Sequence, residues 1–281
     1  MANKFARNTK TRRVGSSKRE DDVMEASDPF RLDGRRALIT GAGGGIGGAL
    51  VEAFTAAGCA VVAADRDESL LQDLDCESRI AFDLSDARAI RNAVGELEAS
   101  ARMPDVLISN AGFARAETLS QTDDDKWAAE MQINLTGAFQ LTRPLVEHMA
   151  KRGFGSVVFI SSVNALAHFG NPAYSAAKAG LVALARAIAV ERGASGVRAN
   201  VVCPGSVRTG AWEHRLQRSP DLLSKLTPHY PLGRLVAPLE VARAALFLAS
   251  DAASGITGAV VPVDAGLTAG NLRFVREALG G

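Results

Sequence analysis

The sequence predicts one doubly wound, Rossmann-like α/β domain built on a seven-stranded parallel sheet. From residue 35, short β-branched runs alternate with alanine- and leucine-rich segments of helical length. Most of these runs are continuously apolar, which is typical of strands covered by helices on both faces. Alternation of this kind implies parallel strands joined by right-handed crossovers. Seven such runs in about 230 residues fit a single domain.

The predicted strands follow one another at similar intervals until one long interval breaks the rhythm. In chain order they are RALIT (36–40), AVVAAD (60–65), RIAFDL (79–84), DVLISNAG (105–112), SVVFISS (156–162), VRANVVCPG (197–205) and AVVPVDAG (259–266). The long interval, 206–237, carries three prolines. Because ligands of doubly wound folds bind beyond the carboxyl ends of the strands, this segment is predicted to be a substrate lid.

The composition indicates a globular chain without a general attraction for polyanions. Of its 281 residues, 47% are hydrophobic and 22% are charged, and the net charge is +1. A charge so close to zero favours neither nucleic acid nor an anionic membrane as a partner. Cys59, Cys76 and Cys203 lack metal-ligand spacing and are interpreted as thiols of a reducing compartment, which predicts a cytoplasmic location. We expect no apolar run of the ~20 residues that a membrane span requires.

The first 30 residues differ in composition from the rest, so we divide the chain into a tail, 1–30, and a catalytic domain, 31–281. Residues 1–19 contain seven Lys or Arg and no acid. They lack the apolar stretch of a signal peptide and are predicted to form a disordered, solvated tail. The alternatives are an organelle-targeting or anion-binding arm, and a translation start at Met24 rather than Met1.

A glycine-rich loop follows the first predicted strand and opens a helix. In the stretch ITGAGGGIGGAL, Gly41, Gly45 and Gly47 give the spacing G-x-x-x-G-x-G, with Ile46 between the last two. Glycines permit a tight turn and let the backbone approach a pyrophosphate at the helix N-terminus. No Lys-Ser or Lys-Thr pair follows, which argues against a triphosphate-binding loop. The loop therefore predicts a dinucleotide site.

Two acids end the next two predicted strands, where a dinucleotide would place its adenosine. Asp65 lies 18 residues after Gly47, a spacing typical of the acid that accepts the ribose hydroxyls; the alternative is a turn cap. Arg66 follows directly and is able to turn toward a 2′-phosphate. Asp83 and Leu84 are predicted to contact the adenine, and the alternative role of Asp83 is to start the next helix together with Ser85 and Asp86.

The stretch NPAYSAAKAG (171–180) predicts a helix that buries two polar side chains. Asn171 is a candidate N-cap, and Pro172 suits the first helical position. Tyr174 and Lys178 lie four residues apart and share one face with apolar residues further along the helix. Burying a phenol and an ammonium costs several kcal/mol, which indicates a functional pair.

Six motifs occur in a fixed order along the chain. They are TGAGGGIG, SNAG (109–112), Asn134 in INLTGAF, ISS (160–162), YSAAK (174–178) and PGSVRT (204–209). Together they resemble the short-chain dehydrogenase/reductase family over roughly residues 33–270. The chain departs from the family pattern by one residue in SNAG and in the later VDAG. It also places Ser162 12 residues before Tyr174, where 13 is common in the family.

The resemblance implies a catalytic set of Asn134, Ser162, Tyr174 and Lys178. Tyr174 would act as the general acid/base, with its pKa lowered from about 10 toward ~7 by the ammonium of Lys178. Lys178 would also hold the nicotinamide ribose, and Ser162 would donate to the substrate oxygen, with Ser161 as its close rival. Asn134 would hold a water of a proton relay; the alternative is a residue that kinks the helix or satisfies backbone groups.

The same resemblance implies further cofactor contacts after the fourth and sixth strands. The cofactor's ribose is expected to lie along Asn110, Ala111 and Gly112. The nicotinamide carboxamide is expected to lie beside Pro204, Gly205, Val207 and Thr209. The four histidines show no metal spacing, and His168 is either a substrate contact or a surface residue. Trp212 and Tyr230 are interpreted as packing groups of the lid.

These residues predict an NAD(H)-dependent oxidoreductase that interconverts a secondary alcohol and the matching ketone. The enzymatic alternative is an NADP(H)-dependent 3-oxoacyl thioester reductase, which shares the same motifs. An alternative of another class is a cofactor-sensing scaffold without turnover, which has no use for a tuned phenol. A homotetramer is expected because helices near 126–151 and 173–192 carry small residues on faces that one sheet does not need, and the family commonly pairs these helices.

Overall fold

The computed structural model describes residues 28–115 and 117–280, in which a parallel sheet lies between two layers of helices. The predicted tail lies outside these residues up to position 27, as does the choice between Met1 and Met24. Residues 28–30, which we assigned to the tail, contact the domain. The ring of Phe30 lies 6.2 Å from that of Phe247, and Ala252 N–H donates to the carbonyl of Pro29 over 3.1 Å.

All seven predicted strands form, and every neighbouring pair is parallel, which confirms the predicted fold class. The sheet order is β3-β2-β1-β4-β5-β6-β7, so the direction of winding reverses between β1 and β4. The strands are β1 (Arg36–Thr40), β2 (Ala60–Asp65), β3 (Ser78–Ala81), β4 (Val106–Ser109), β5 (Gly155–Ile160), β6 (Val197–Pro204) and β7 (Val260–Val263).

Helices connect the strands and extend into the interval that follows β6. They are α1 (Gly45–Ala56), α2 (Ala87–Ala99), α3 (Asp124–Met131), α4 (Ala138–Arg152), α5 (Pro172–Arg192), α6 (Gly210–Arg218), α7 (Leu222–Leu226), α8 (Pro238–Ala249) and α9 (Leu272–Leu279). A π-helical segment, Gln132–Gly137, joins α3 to α4 without interruption. Segments of this kind are frequent at functional sites.

The continuous apolar runs of the sequence are explained by two separate cores. Helices α2, α4 and α5 cover one face of the sheet, and α1 and α8 cover the other. Successive strand residues point to opposite faces, so Leu38 of β1 enters the first core and Ile39 the second. Leu107 and Ile108 of β4 divide in the same way. A strand buried on both sides therefore needs apolar residues at every position.

Helix α5 meets a length-and-hydropathy criterion for a membrane span, although Lys178 and Arg186 interrupt its apolar run. The segment Pro172–Ser195 reaches a mean hydropathy of 1.3, because small and apolar residues predominate between widely spaced charges. Core helices of globular proteins pass the same test. This helix packs its apolar stripe, Leu181, Ala185 and Ile188, on the sheet.

The predicted lid, 206–237, contains α6 and α7 and is tied to the domain at its base. Val207 and Val236 form a parallel bridge at the two ends of the segment. Tyr230 is buried, and its hydroxyl oxygen accepts a hydrogen bond from Ser206 N–H over 3.2 Å. Tyr230 is thus a packing group, as expected. Trp212 instead faces the cleft described below.

Candidate active site

A cleft of about 990 Å³ opens at the carboxyl ends of the strands, on both sides of the reversal between β1 and β4. This is where doubly wound folds bind dinucleotides. Ser162 and every residue predicted to contact the cofactor line it: Gly41, Gly45, Ile46, Gly47, Asp65, Arg66, Asp83, Leu84, Asn110, Ala111, Gly112, Tyr174, Lys178, Pro204, Gly205, Val207 and Thr209. Of the predicted site residues, only Asn134 lies behind the wall of the cleft.

The backbone of the glycine loop packs so tightly against neighbouring atoms that it leaves no room for side chains. Gly41 has a φ of +65°, which favours glycine. A Cβ on Gly47 would lie 2.0 Å from the Gly41 carbonyl oxygen, and one on Gly45 would lie 2.8 Å from the Thr209 Cβ. The loop therefore leaves backbone N–H groups and the N-terminus of α1 open to the cleft. This arrangement fits the pyrophosphate of a dinucleotide.

We expect Gly47→Ala to weaken dinucleotide binding at least about tenfold, or ~1.4 kcal/mol, because the loop must move to admit the methyl group. Gly48→Ala is the matched control. It lies on the same helix, and an added Cβ there meets nothing within 4 Å. Fluorescence titration with the reduced cofactor measures both affinities. Equal affinities for the two variants would show that the loop tolerates a side chain.

The acids at the adenosine end are held by backbone groups. The Asp65 carboxylate accepts hydrogen bonds from Gly43 N–H over 3.1 Å and from Arg66 N–H over 2.7 Å, while the Arg66 side chain is exposed. Asp83 lies two residues beyond the end of β3, and its carboxylate accepts from Ser85 N–H over 2.7 Å. The cap of α2 is Asp86, whose N–H donates to the Asp83 carbonyl over 3.1 Å, so Asp83 shapes the turn that leads into that helix, in agreement with its alternative role. The adenine contact stays a prediction.

Asn134 lies in the π-helical segment with its side chain committed to the backbone. Its amide nitrogen donates to the carbonyl oxygens of Phe113 and Glu130 over 2.9 and 3.0 Å, and its oxygen accepts from Phe113 N–H over 3.1 Å. A Cβ on Gly112 would lie 2.5 Å from that oxygen. The side chain thus satisfies backbone groups, which is the alternative role predicted for it. The water relay stays a prediction.

The two serines after β5 have different partners. The Ser161 hydroxyl donates to the Lys178 carbonyl over 2.9 Å, which ties β5 to α5. The Ser162 hydroxyl donates to the Asn164 side-chain oxygen over 3.3 Å and accepts from Asn164 N–H over 3.2 Å, and it lies near enough to Tyr174 to lower the pKa of that phenol. Only Ser162 of this pair therefore has its hydroxyl beside the phenol.

Tyr174 and Lys178 lie on one face of α5, as predicted. In the protein without cofactor, however, burial controls the pKa values of both side chains. The Lys178 ammonium is 5.5 Å from the centre of the Tyr174 ring and donates to the Ile160 carbonyl over 3.0 Å. Burial raises the pKa of Tyr174 to about 12, against the opposite effect of the Ser162 hydrogen bond. Burial also lowers the pKa of Lys178 to about 8. The expected lowering of the Tyr174 pKa by Lys178 is therefore not a property of these side chains alone.

The structure changes the role of Asn171, which was predicted to cap α5, and adds Glu130, which sequence reasoning missed. Asn171 begins α5 in a left-handed conformation, with a φ of +51°, and its side-chain oxygen accepts from Glu117 N–H instead of capping the helix. Glu130 is buried on α3 and accepts from Arg115 N–H over 3.0 Å. The available signal was an acid four residues before Asn134, on the same helix face.

The fold and motifs are those of known enzymes. A family model described as enoyl-(acyl carrier protein) reductase matches residues 41–268. A solved oxidoreductase of the short-chain dehydrogenase/reductase family from Burkholderia thailandensis is 44% identical, with a TM-score of 0.82, and the match covers 88% of this chain and 98% of that one. The chain belongs to the short-chain dehydrogenase/reductase family.

Other short-chain dehydrogenases/reductases resemble the chain over most of its length. A galactitol 2-dehydrogenase (L-tagatose-forming) of Cereibacter sphaeroides is 38% identical over 87% of this chain and 99% of its own. An acetoacetyl-CoA reductase of Rhizobium meliloti is 38% identical over 83% of this chain and 98% of its own. A gluconate 5-dehydrogenase of Burkholderia cenocepacia, solved in complex with NADP and tartrate, is 34% identical with a TM-score of 0.80, covering 86% of this chain and 98% of that one.

The family membership establishes the class of enzyme. The protein is an oxidoreductase that acts on CH–OH groups with NAD(P) as acceptor. Among the side chains that the structure describes, which exclude those of Glu213 and His214, no three of His, Cys, Asp or Glu are grouped as metal ligands.

Proposed function

We propose that the protein interconverts a secondary alcohol and the matching ketone with NAD(H), and that Tyr174 is the general acid/base. The observation that carries this proposal is the meeting of Tyr174, Ser162 and Lys178 in the same cleft as the glycine loop and Asp65. The bound dinucleotide would supply or accept the hydride. The Ser162 hydroxyl would hold the substrate oxygen, on which negative charge grows as a ketone is reduced.

The raised pKa of Tyr174 suits the reductive direction near neutral pH. With a pKa of about 12 the phenol is protonated, so it is ready to give its proton to the substrate oxygen. Ser162 and Tyr174 line the same cleft, and Ser162 is near enough to act on the pKa of the phenol, so one substrate oxygen would be within reach of both. Lys178 lies below them, held by the Ile160 carbonyl, where its ammonium would orient ribose hydroxyls.

The preference for NAD(H) rests on the fixed carboxylate of Asp65. Two backbone N–H groups hold it, so it is not free to turn away from a 2′-phosphate. Two unit charges ~4 Å apart repel by about 4 kcal/mol at an effective dielectric constant near 20. Arg66 is exposed and acts in the opposite direction. We weigh Asp65 more heavily, because a flexible arginine must lose side-chain entropy to reach the phosphate.

We expect wild-type enzyme to favour NAD(H) over NADP(H) by tenfold to a thousandfold in kcat/KM, on the order of 1.4 to 4 kcal/mol. Asp65→Ser should narrow or reverse that ratio, because it removes the repelling charge. Asp67→Ser is the matched control. Asp67 caps the following short helix through Ser69 and lies outside the cleft lining. A wild-type preference for NADP(H) would show that Arg66 governs the site.

The second candidate is an NADP(H)-dependent 3-oxoacyl thioester reductase. It is favoured by the acetoacetyl-CoA reductase among the relatives and by the NADP in the related gluconate 5-dehydrogenase. Cofactor titration separates it from the first candidate. A cofactor sensor without turnover is disfavoured by the meeting of Ser162, Tyr174 and Lys178 in one cleft, which binding alone does not require.

We propose that the protein works in the cytoplasm on a small-molecule substrate as a homotetramer. The outer face of α5 supports the assembly, because it exposes small or apolar side chains: Ala179, Ala183, Ala187 and Val190. Trp127 of α3 and Phe139 of α4 are also about half exposed. Packing these helices against a second copy would cover such side chains.

We expect light scattering to give four times the chain mass of 29.4 kDa at micromolar concentration. Ala183→Arg should produce a smaller species, because it places a charge in the proposed interface. Ala56→Arg is the control, since Ala56 is exposed on α1, beyond the other face of the sheet. A monomeric wild-type protein would contradict the assembly.

A further inference from the structure

The two ends of the cleft differ in charge. At the adenosine end the described lining residues include two carboxylates, Asp65 at the end of β2 and Asp83 after β3, together with one cation, Arg66. The guanidinium groups of Arg115 and Arg215 line the cleft from segments that follow β4 and β6. A ligand at this end of the cleft would therefore meet two cations.

Arg115 is fixed close to the catalytic tyrosine. Its loop is joined to the start of α5 by two hydrogen bonds: Glu117 N–H donates to the Asn171 side chain over 2.8 Å, and Asn171 N–H donates to the Glu117 carbonyl over 2.9 Å. Asn171 precedes Tyr174 by three residues. Glu130, which accepts from Arg115 N–H, is near enough to Tyr174 to raise its pKa.

The Arg115 guanidinium is only partly satisfied by the protein. Its Nη1 lies 3.9 Å from the Glu130 carboxylate, which is too long for a hydrogen bond, and this buried nitrogen has no hydrogen-bond partner. The side chain is 37% exposed, so the remainder of the guanidinium reaches the cleft. That nitrogen is enclosed by the protein, so an anionic ligand in the cleft would contact the exposed part of the guanidinium, where a charge-assisted hydrogen bond is favourable.

Arg215 approaches from the lid. It is exposed on α6, and its guanidinium carbon lies 4.7 Å from the ring centre of Trp212, which also lines the cleft. Stacking uses the flat face of a guanidinium and leaves its in-plane N–H groups directed outward. Those groups suit a carboxylate or a phosphate.

Two amide side chains that line the cleft at this end already have partners in the protein. The Asn164 amide nitrogen donates to the Gly170 carbonyl and to the Ser175 hydroxyl over 2.9 and 3.1 Å. The Asn171 oxygen is held by Glu117 N–H. An uncharged polyol would compete with these bonds, whereas an anion would meet guanidinium groups.

We propose that the substrate alcohol or ketone carries a carboxylate or phosphate group, which Arg115 binds from the loop side of the cleft and Arg215 from the lid side. The inference rests on the proposed function, because it assumes that Tyr174 marks the reacting carbon. It adds a substrate class and two residues that determine specificity.

Matched substrate pairs test the charge preference. Gluconate is compared with glucitol, and 3-hydroxybutyrate with its methyl ester, by cofactor absorbance at saturating dinucleotide. We expect kcat/KM to be at least about tenfold higher for the anion in one or both pairs, as charge-assisted hydrogen bonds allow. 3-Hydroxybutyryl-CoA is the arm for phosphate. Its preference over free 3-hydroxybutyrate would assign the negative group to phosphate.

Variants test the two arginines. Arg115→Gln and Arg215→Gln should each raise KM for the preferred anion about tenfold and leave KM for the neutral partner unchanged. Arg218→Gln is the control, because Arg218 is exposed on the same helix and does not line the cleft. Glu130→Gln keeps an oxygen for Arg115 N–H but removes the competing charge, so it should lower KM for the anion.

The outcomes separate this inference from the proposed function. Calorimetric titration of the enzyme–NADH complex measures binding of each compound independently of turnover. Equal kcat/KM within both pairs, or no binding of either anion or of the CoA thioester, would overturn the inference. Turnover of neutral alcohols would then still support the proposed function. Loss of anion and neutral turnover alike in the arginine variants would also overturn it, since that pattern indicates a structural role.

Discussion

Tyr174→Phe is expected to lower kcat at least ~10²-fold in both directions, the lower range for loss of a general acid/base. The substitution removes only the hydroxyl, so the aromatic ring still fills its place on α5 above Lys178. Affinity for the reduced cofactor should change little, because the glycine loop and Asp65 are distant parts of the cleft. Steady-state rates and fluorescence titration measure the two effects.

The second tyrosine of the chain provides the matched control. Tyr230 is buried at the base of the lid, and its hydroxyl accepts a hydrogen bond from Ser206 N–H. Tyr230→Phe therefore loses a buried hydroxyl and about 1 kcal/mol of stability, with most of kcat retained. Near-normal turnover by Tyr174→Phe would show that another group transfers the proton.

Lys178→Met is expected to abolish most turnover and yet stabilise the protein without cofactor. Turnover should fall at least ~10²-fold, since the ammonium that would hold the ribose is removed. Stability should rise near neutral pH, because wild type keeps a charged ammonium in a buried place. The pKa of Lys178 falls from 10.5 in the unfolded chain to about 8 in the folded protein. This lowering corresponds to a stability cost of roughly 3 kcal/mol at the most. The lost hydrogen bond to the Ile160 carbonyl offsets part of it.

The sign of the pH dependence follows from the lowered pKa of Lys178. Between pH 8 and 10.5 the unfolded chain binds a proton that the folded protein has released, so wild-type stability rises through this window. The gain should be absent in Lys178→Met and present in Lys151→Met, because Lys151 is exposed on α4. The raised pKa of Tyr174 acts oppositely, lowering stability between pH 10 and 12.

Denaturant unfolding between pH 7 and 9.5 therefore isolates the lysine. The excess stability of Lys178→Met over wild type should shrink as pH rises. Parallel curves for the two proteins would mean that Lys178 is not strained by its burial.

The strands and the cleft could be predicted because the signals that specify them are local. Continuous apolar runs mark the doubly covered strands, and the glycine spacing marks the loop where backbones meet. The end of the third strand was placed three residues late, since Phe82 and Leu84 are buried beyond Ala81 and look like strand residues. Hydrophobicity does not distinguish a buried turn from a strand.

The state of the charged groups was less predictable, because it depends on contacts between distant segments. The ammonium of Lys178 was expected to activate Tyr174, but the carbonyl of Ile160 engages it. That carbonyl is 18 residues away and carries no sequence signal. The side chain of Asn134 is likewise taken up by Phe113 and Glu130. Sequence motifs identify which residues come together in the site, whereas burial and local hydrogen bonds determine the protonation state and the contacts of each side chain.

The π-helical segment between α3 and α4 determines how the two helices are rotated relative to each other about their common axis. Each hydrogen-bonded turn there takes one residue more than in an α-helix, and one residue corresponds to about 100° of rotation. This offset lets Asn134 point toward the loop after β4 while Leu141 and Leu145 of α4 still enter the core. Deletion of a single residue from Gln132–Gly137 would rotate α4 relative to α3 about the helix axis. The length of this segment is therefore as constrained as the identity of any residue in the cleft.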